Sequence, residues 1–262
     1  MRFRFPEGRG LPTLVLTGAF IWSLTTVPWG DNLTHPGGGK AFLQFLGAAL
    51  TPEVSFSFLR IVFEASWTTI AYATASITLA VALGFPLGVI ASGVLARSAP
   101  IRLASIVGVR SILAFLRSIH ELVWAWLFVV AFGLSPIAGV IAIAVPYGGI
   151  LGRIYSELLQ DVPQEPLRAL RASGATEWKV FLYGRLPMAL PDMVSYGCYR
   201  WECAIRSAAI LSFVGIPGLG YQIQLSMMDL HYDEVWTLFF FLVAIVTVVD
   251  AWSNGIRRSL VA

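Results

Sequence analysis

Long apolar runs alternate with short charged stretches along most of the chain. No charged residue occurs between Arg9 and Asp31, or in the 32 residues that follow Glu64. Each interval can hold the roughly 20 apolar residues that a helix needs to cross a bilayer. The pattern therefore predicts two membrane-spanning helices, one at residues 11–28 and a second with its core at residues 67–90.

The third apolar region carries charges within it. Charge-free sequence resumes only after Glu121, and the "AFGLSP" stretch at residues 131–136 then interrupts it. We therefore predict a third helix that begins near Leu103 and carries Arg110, Arg117 and Glu121 within about 40° of one another. A narrow charged stripe on an apolar helix should face protein, water or the cytosolic boundary rather than lipid.

Three more helices complete the pattern. Pro136 is predicted to open the fourth helix, which ends near Leu151, while the fifth covers about 188–214 and the sixth about 235–252. The sequence thus predicts an all-α, polytopic membrane protein with about six transmembrane helices.

Composition agrees with a membrane protein. Hydrophobic residues make up 57% of the 262 residues and charged residues 13%, whereas soluble domains carry about 25% charged residues. The net charge of +3 is too small to indicate a nucleic-acid partner. Cys198 and Cys203 form no metal or redox motif.

The basic residues indicate the orientation, because cytoplasmic loops carry an excess of Lys and Arg. With the N-terminus in the cytosol, only Lys40 and Arg60 of the 18 basic residues are external, and Arg200 and Arg206 lie within the fifth span. Both termini are then cytosolic. The other 14 lie on the cytosolic side or at that boundary: Arg2, Arg4, Arg9, Arg97, Arg102, Arg110, Arg117, Arg153, Arg168, Arg171, Lys179, Arg185, Arg257 and Arg258.

The N-terminal region allows two interpretations. Its arginines suit a signal peptide, but the exit "SLTTVPWG" lacks a small-x-small cleavage site, which favours a retained anchor helix. The following loop at residues 29–65 is predicted to be external, and its "HPGGGK" flexible. The predicted parts are an anchor and external loop at 1–65, a core domain at 66–258 and a tail at 259–262.

A polar segment at residues 163–187 separates the fourth and fifth spans. Residues 167–173 predict a short helix, Gly174 permits a sharp bend, and "ATEWKVFLYGR" predicts a second short helix that Pro187 stops unless that proline opens the next span. The result is a helix–turn–helix shelf parallel to the membrane. Its apolar residues (Leu170, Trp178, Phe181 and Leu182) would face a partner or the membrane. The alternative is an amphipathic connector that lies on lipid.

This segment resembles the cytosolic signature of ATP-binding-cassette (ABC) importer permeases. Ala169, Gly174, Leu186 and Pro187 match that signature in register, while Arg168 replaces its usual acidic residue and Gly184 its usual aliphatic one. Three further stretches resemble the phosphonate-transporter branch of the family, although His120 stands where relatives commonly have proline. These stretches are "RSIHELVWAWLFVVAFG", "YRWECAIRSAAILSFVGIPGLG" and "VVDAWSNGIRR".

The resemblance implies a type I importer permease in the inner membrane. Two copies would form the pathway, a cytosolic ABC ATPase dimer would bind the shelves, and an external binding protein would deliver a phosphonate or similar oxyanion. In the family, the segment at 163–187 is the coupling helix that docks into the ATPase. The docking residues would be Arg168, Ala169, Leu170, Arg171, Gly174, Ala175, Trp178 and Lys179.

The chain itself shows no signal for ATP hydrolysis. "GGGK" ends at Lys40 without the Ser or Thr and the first glycine that a phosphate loop requires. We therefore expect no cofactor on this chain, since ATP and Mg would be bound by the partner ATPase. Alternatives are a permease for phosphate, phosphite or an unrelated solute, and an ATPase-independent scaffold or channel. An intramembrane enzyme has the least support, because no catalytic or metal-ligating set stands at a workable spacing.

The fifth span carries Arg200, Glu202 and Arg206. A mid-membrane charge costs about 2.5–3.5 kcal/mol on insertion scales, so none should face lipid. Glu202 and Arg206 can pair at i, i+4, which would be structural. Arg200 lacks a local partner and would either pair with Glu121 or contact a phosphonate through its planar fork. The candidate pathway residues are Arg117, Glu121, Tyr199, Arg200, Glu202 and Arg206.

The stretch "GIPGLGYQI" at residues 215–223 cannot continue the helix. It predicts an ordinary turn or, as relatives suggest, a re-entrant loop that caps the pathway as a gate. Its candidate residues are Gly215, Pro217, Gly218 and Gly220.

Overall fold

The computed structural model of the chain describes residues 10–27, 29, 37–96 and 98–261. Within these ranges every regular element is helical, as the sequence predicts. The predictions for Arg2, Arg4, Arg9 and Arg97 fall outside the described residues, as do those for Pro28, residues 30–36 and Ala262.

The chain divides into two compact units, residues 1–47 and 48–262. The first unit contains α1 (Gly10–Thr26), an apolar helix of 17 residues. Helix α2 (Gly38–Ala48) lies where the sequence predicted a flexible glycine-rich loop. A regular helix therefore replaces part of that predicted loop.

The second unit is a bundle of helices. Helix α3 spans Phe56–Ser92, so it begins inside the predicted external loop, and Ser55 caps it by accepting a hydrogen bond from the backbone N–H of Phe58. The later elements are α4 (Ala99–Ser118), α5 (Glu121–Phe132), α6 (Pro136–Asp161), α7 (Gln164–Ala172), α8 (Glu177–Val180), a π-helical turn (Phe181–Arg185), α9 (Leu186–Leu211), a 3₁₀ turn (Ser212–Val214), α10 (Leu219–Met228) and α11 (Tyr232–Val261).

Helices α3 and α6 form the centre of the bundle through glycines spaced four apart. A Cβ atom added to Gly84 would lie 2.9 Å from the carbonyl oxygen of Gly148, and one added to Gly88 would lie 2.9 Å from that of Gly152. Small residues at this spacing let helix backbones approach closely in membranes. The spacing of these glycines in the sequence is the signal for this contact, which is not among the predictions above.

Four helices (α3, α4, α6 and α11) are long and apolar enough to cross a membrane. A fifth span is formed if the helical run Glu177–Val214 is joined to α10, at a bend of 44°. Helices α1 and α5 are apolar but shorter. The described part of the chain thus supports four or five spans where about six were predicted.

The third predicted helix is broken, so the prediction of one continuous helix is wrong. Ile119 is extended, with φ −97° and ψ 127°. His120 then begins α5, because its Nδ1 accepts a hydrogen bond from the N–H of Leu122 at 3.2 Å. Arg110 and Arg117 therefore lie on α4 and Glu121 on α5. The fourth predicted helix was also too short, because α6 continues to Asp161.

Hydrogen bonds between residues that lie far apart in the sequence mark the two ends of the bundle. At one end, which we call the loop end, Thr237 donates a hydrogen bond to the carbonyl of Glu53 at 2.7 Å, and Thr69 accepts one from the N–H of Leu219 at 2.9 Å. At the other, the segment end, Gln160 donates to the carbonyl of Ser92 at 2.8 Å. The segment at 163–187 and the turn at 215–218 thus lie at opposite ends.

Candidate functional site

The segment at 163–187 folds as a tight helical hairpin. Gly174 adopts φ +83°, in the left-handed region that glycine tolerates. The N–H of Gly174 donates to the carbonyl of Arg171 at 3.0 Å, and that of Ala175 donates to Leu170 at 3.1 Å. These bonds close α7 in the manner of a glycine C-cap, so the predicted bend at Gly174 is confirmed.

A bidentate ion pair closes this hairpin. Arg171 donates to both carboxylate oxygens of Glu177, at 2.8 and 3.0 Å. These hydrogen bonds lower the pKa of Glu177 and raise that of Arg171. The paired fork fixes α8 relative to α7.

The inner face of the hairpin packs on the bundle. Leu167 and Phe181 are buried. Gly184 makes room for Leu167 and Leu170, since a Cβ there would lie 2.8 Å from the first and 2.7 Å from the second. Phe181 was predicted to face a partner or lipid, which is wrong for this chain. The helix also runs on through the π-helical turn and Pro187, so Pro187 opens α9 rather than stopping a helix.

The outer face of the hairpin is open. Trp178 is 55% exposed and Lys179 is also exposed. Leu170 and Ala175 are half-buried. The remaining predicted docking residues are exposed: Arg168, Ala169, Arg171 and Gly174. A polar, exposed surface of this kind can receive another protein.

Arg200 lies in the middle of α9 among three tyrosine rings. Its guanidinium carbon is 5.2 Å from the ring centre of Tyr196, 5.5 Å from that of Tyr199 and 5.8 Å from that of Tyr147. Its Nε and Nη2 donate to the hydroxyl of Tyr196 at 3.0 and 2.7 Å. In the described ranges no carboxylate pairs with Arg200, so the pairing considered with Glu121 is not formed.

Glu121 instead ends a hydrogen-bond chain across three helices. Ser207 on α9 donates to its carboxylate at 2.8 Å, and the hydroxyls of Tyr147 and Ser207 are 2.9 Å apart. Because the Ser207 proton goes to Glu121, its oxygen accepts from Tyr147. The chain ties α5, α6 and α9 together beside Arg200.

Arg117 and Arg200 line the same cavity. This cavity, of about 610 Å³, lies between α4, α6 and α9 and includes Tyr196 and Ile154. An adjoining cavity of about 320 Å³ shares those two residues and is also lined by Tyr199. The structure thus places three of the predicted pathway residues around two cavities that share lining residues.

The other two predicted pathway charges of α9, Glu202 and Arg206, are placed differently. Glu202 is buried and pairs with Arg257 of α11 at 2.9 Å. Arg206 is exposed and contacts the sulfur of Cys203 at 3.5 Å. The predicted pair between Glu202 and Arg206 is therefore wrong, because a charge from a neighbouring helix takes the place of the local partner.

The turn after α9 packs tightly at the loop end. Gly215 adopts φ +96°, and a Cβ on Gly218 would lie 2.6 Å from the hydroxyl of Ser212. A Cβ on Gly220 would overlap the carbonyl oxygen of Ala209. Pro217 lies in the same turn. The predicted break in the helix is confirmed, and the chain then returns as α10, which we did not predict.

Residues 84–261 match the family described as binding-protein-dependent transport system inner membrane component. The chain belongs to this family. The match covers the whole set of helices that hold the segment at 163–187 and the Arg200 cavity. The importer permeases of this family work with ATPase and substrate-binding protein partners.

Curated relatives of the chain are named as phosphite or phosphonate transport permeases. The chain is 34% identical over 149 residues to the phosphite transport system permease protein PtxC of Stutzerimonas stutzeri, covering 57% of this chain and 54% of PtxC. It is 30% identical over 245 residues to the putative phosphite permease HtxC of the same organism, covering 92% and 85%. A putative cryptic phosphonate permease of Escherichia coli, PhnE2, is 28% identical over 113 residues, 43% of this chain and 93% of that one. The predicted resemblance to the phosphonate branch is confirmed.

The fold also matches a solved importer. The inward-facing MetNI methionine ABC transporter superposes with a TM-score of 0.69 at 21% identity, covering 79% of this chain and 99% of that chain. The similarity confirms the prediction of a type I importer permease fold.

Proposed function

We propose that this chain is the membrane-spanning subunit of an ATP-driven importer for a phosphorus oxyanion of the phosphite or phosphonate class. The observation that supports this cargo is the place of Arg200, a mid-helix guanidinium that lines the same cavity as Arg117 and has no carboxylate partner in the described part of the chain. Arginine forks bind phosphate-like oxygens in a bidentate manner. The phosphite and phosphonate names of the relatives support the same class.

The pathway is proposed to form between two copies of the chain. Arg117, Tyr199 and Arg206 are exposed on α4 and α9. Arginines on spanning helices face protein or water rather than lipid. A second copy placed against these helices would enclose the arginines in a shared, wet pathway, with lipid around the rest of the dimer.

Energy is proposed to enter at the segment end. The exposed face of the 163–187 hairpin carries Trp178 and Lys179, and Arg185 joins the hairpin to α6 by a hydrogen bond to the carbonyl of Leu159. A rigid bracket of this kind can transmit a push from a docked ATPase dimer to the spanning helices. A rigid-body switch between two states would then open the pathway outward.

The sidedness of the chain in the membrane is part of the same proposal. With both termini cytosolic, the segment end faces the ATPase and the loop end faces the external binding protein. The turn carrying Gly215, Pro217, Gly218 and Gly220 would then act as an outer gate. Its close packing against Thr69 of α3 couples that gate to the central helix pair.

Uptake tests this function directly. The chain would be reconstituted in proteoliposomes with its ATPase and binding protein, and ATP-dependent uptake of phosphite, methylphosphonate and phosphate measured. Arg200→Gln should lower uptake about 10- to 100-fold, since a charge-assisted hydrogen bond contributes about 1.5–3 kcal/mol. The matched control is Arg258→Gln, which removes an exposed charge and should transport normally.

The same experiment identifies the transported anion and distinguishes an ATP-driven importer from a channel. Uptake of phosphate alone would assign the machine to that anion, and uptake of none of the three would refute the oxyanion cargo. Uptake without ATP would favour a channel. Undiminished uptake by Arg200→Gln would return that residue to a purely structural role.

A further inference from the structure

A second polar cavity lies at the segment end, away from Arg200. It has a volume of about 700 Å³ and is enclosed by the turn after α3, by α4, by the end of α6 and by the 163–187 hairpin. Its charged lining consists of four arginines and one acid: Arg102, Arg110, Arg171, Arg185 and Glu177.

The positive charge of this cavity is not neutralised by the described part of the chain. Glu177 is already engaged by both donors of Arg171. Arg110 donates to the neutral amide of Gln160 at 2.9 Å, and Arg185 donates to the backbone carbonyl of Leu159. Three of the four guanidinium groups therefore have no carboxylate partner in the described ranges.

The acidic residue Glu157, which lies near the cavity, is also paired with another arginine. Glu157, on the same helix as Gln160, pairs with Arg153 at 2.6 Å. That pair lies outside the lining of the cavity. The arginine cluster therefore keeps a net positive charge of three.

Two of these arginines are buried in a way that costs free energy unless a counterion is present. Arg185 is only 7% exposed, and the Nε of Arg110 is buried without a hydrogen-bond partner in the described chain. Burial and then the charge of Arg171 lower the pKa of Arg185, and the carboxylate of Glu177 offsets only part of that effect. Buried charges are ordinarily paired or hydrogen-bonded in full.

We propose that this cavity binds a phosphate-class anion, supplied either as free phosphate or as the phosphate of an anionic lipid headgroup. Guanidinium forks from α4 and from the hairpin would converge on its oxygens. Basic pockets between transmembrane helices bind lipid headgroups in the same way. The bound anion would tie α4 to the hairpin and stiffen the segment end.

The site is independent of the transported cargo. Its residues are distinct from Arg117, Arg200 and the tyrosines around them. Anion binding is measured on the full chain alone and without uptake, so failure of this proposal and failure of the proposed transport function can be told apart.

Two arms of one experiment identify the source. The purified full chain in detergent is heated with sodium phosphate or with sodium chloride at equal ionic strength, and the midpoint of unfolding is recorded. In parallel, the delipidated chain is mixed with phosphatidylglycerol or phosphatidylcholine, and bound lipid is counted by native mass spectrometry. Saturable stabilisation by phosphate supports a free anion, and selective retention of phosphatidylglycerol supports a headgroup.

Arg102→Gln is the decisive variant, because the Arg102 side chain makes no hydrogen bond within the described residues and its loss should not disturb folding. It should weaken anion binding about tenfold, the factor for one lost charge-assisted hydrogen bond. Arg258→Gln, which removes a charge outside the cavity, should bind as wild type does. The proposal is overturned if neither phosphate nor phosphatidylglycerol binds, or if Arg102→Gln binds as well as wild type.

Discussion

The ion pair between Glu202 and Arg257 makes the sharpest test of the structure. It joins α9 to α11 at 2.9 Å, with the Glu202 side chain 8% exposed and that of Arg257 26% exposed. The sequence alone favoured Arg206 as the partner of Glu202. Replacement of Glu202 by Gln removes the charge and preserves the shape of the side chain.

The expected loss can be estimated from the burial of the pair. Breaking a buried pair costs about 3–5 kcal/mol, because the remaining charge is left uncompensated. Arg257 is a quarter exposed and also contacts Asn254 at 3.0 Å and Asp250 at 3.8 Å. These contacts retain part of its stabilisation, so Glu202→Gln should lower the free energy of unfolding by about 3 kcal/mol, the low end of that range.

A double-mutant cycle assigns the partner. Unfolding is followed by tryptophan fluorescence as detergent micelles are titrated with SDS, for the Gln variants at 202 and 257 singly and together. The coupling energy should be about 2 kcal/mol. The control cycle with Arg206→Gln should give less than about 0.5 kcal/mol. A larger coupling to Arg206 than to Arg257 would refute the reasoning.

Three further variants test separate parts of the structure. Gly220→Ala places a methyl group against a backbone carbonyl of α9 and should cost about 1–3 kcal/mol in the same unfolding assay; an unchanged stability would show that the turn is looser than described. Ser207→Ala should cost about 1–3 kcal/mol because it leaves Glu121 and Tyr147 without their shared partner, whereas Ser253→Ala, at a buried hydroxyl with no described partner, should cost little. Arg171→Glu should weaken co-purification of the ATPase, and the double variant Arg171→Glu with Glu177→Arg should restore it. If the double variant restores no co-purification, the ion pair is not what holds the hairpin in its docking shape.

Local signals predicted the elements that depend on local physics. The length of the charge-free intervals predicted helices at 56–92 and 232–261 in outline, although both extend beyond their predicted ends. Gly174 predicted the turn of the hairpin, because its φ of +83° is one that glycine adopts readily. Pro136 predicted the start of α6, because proline fits the first position of a helix, where no backbone N–H is needed for a hydrogen bond.

Contacts between distant residues could not be read from local pattern. Glu202 and Arg257 are 55 positions apart, and no helical periodicity relates them. Tyr147 reaches Ser207 across 60 positions. The break at His120 depends on a side-chain cap that an apolar helical pattern conceals.

The central claim is that a separate ATPase in the cytosol binds the 163–187 hairpin. The direct measurement is site-specific cross-linking from Trp178→Cys, on the exposed face of the hairpin, in membranes that contain the ATPase and the binding protein. The account predicts a cross-link to the ATPase that changes in yield when ATP is added, and none to the binding protein. Labelling of this cysteine by a membrane-impermeant reagent added outside intact cells, with no ATPase cross-link, would contradict it.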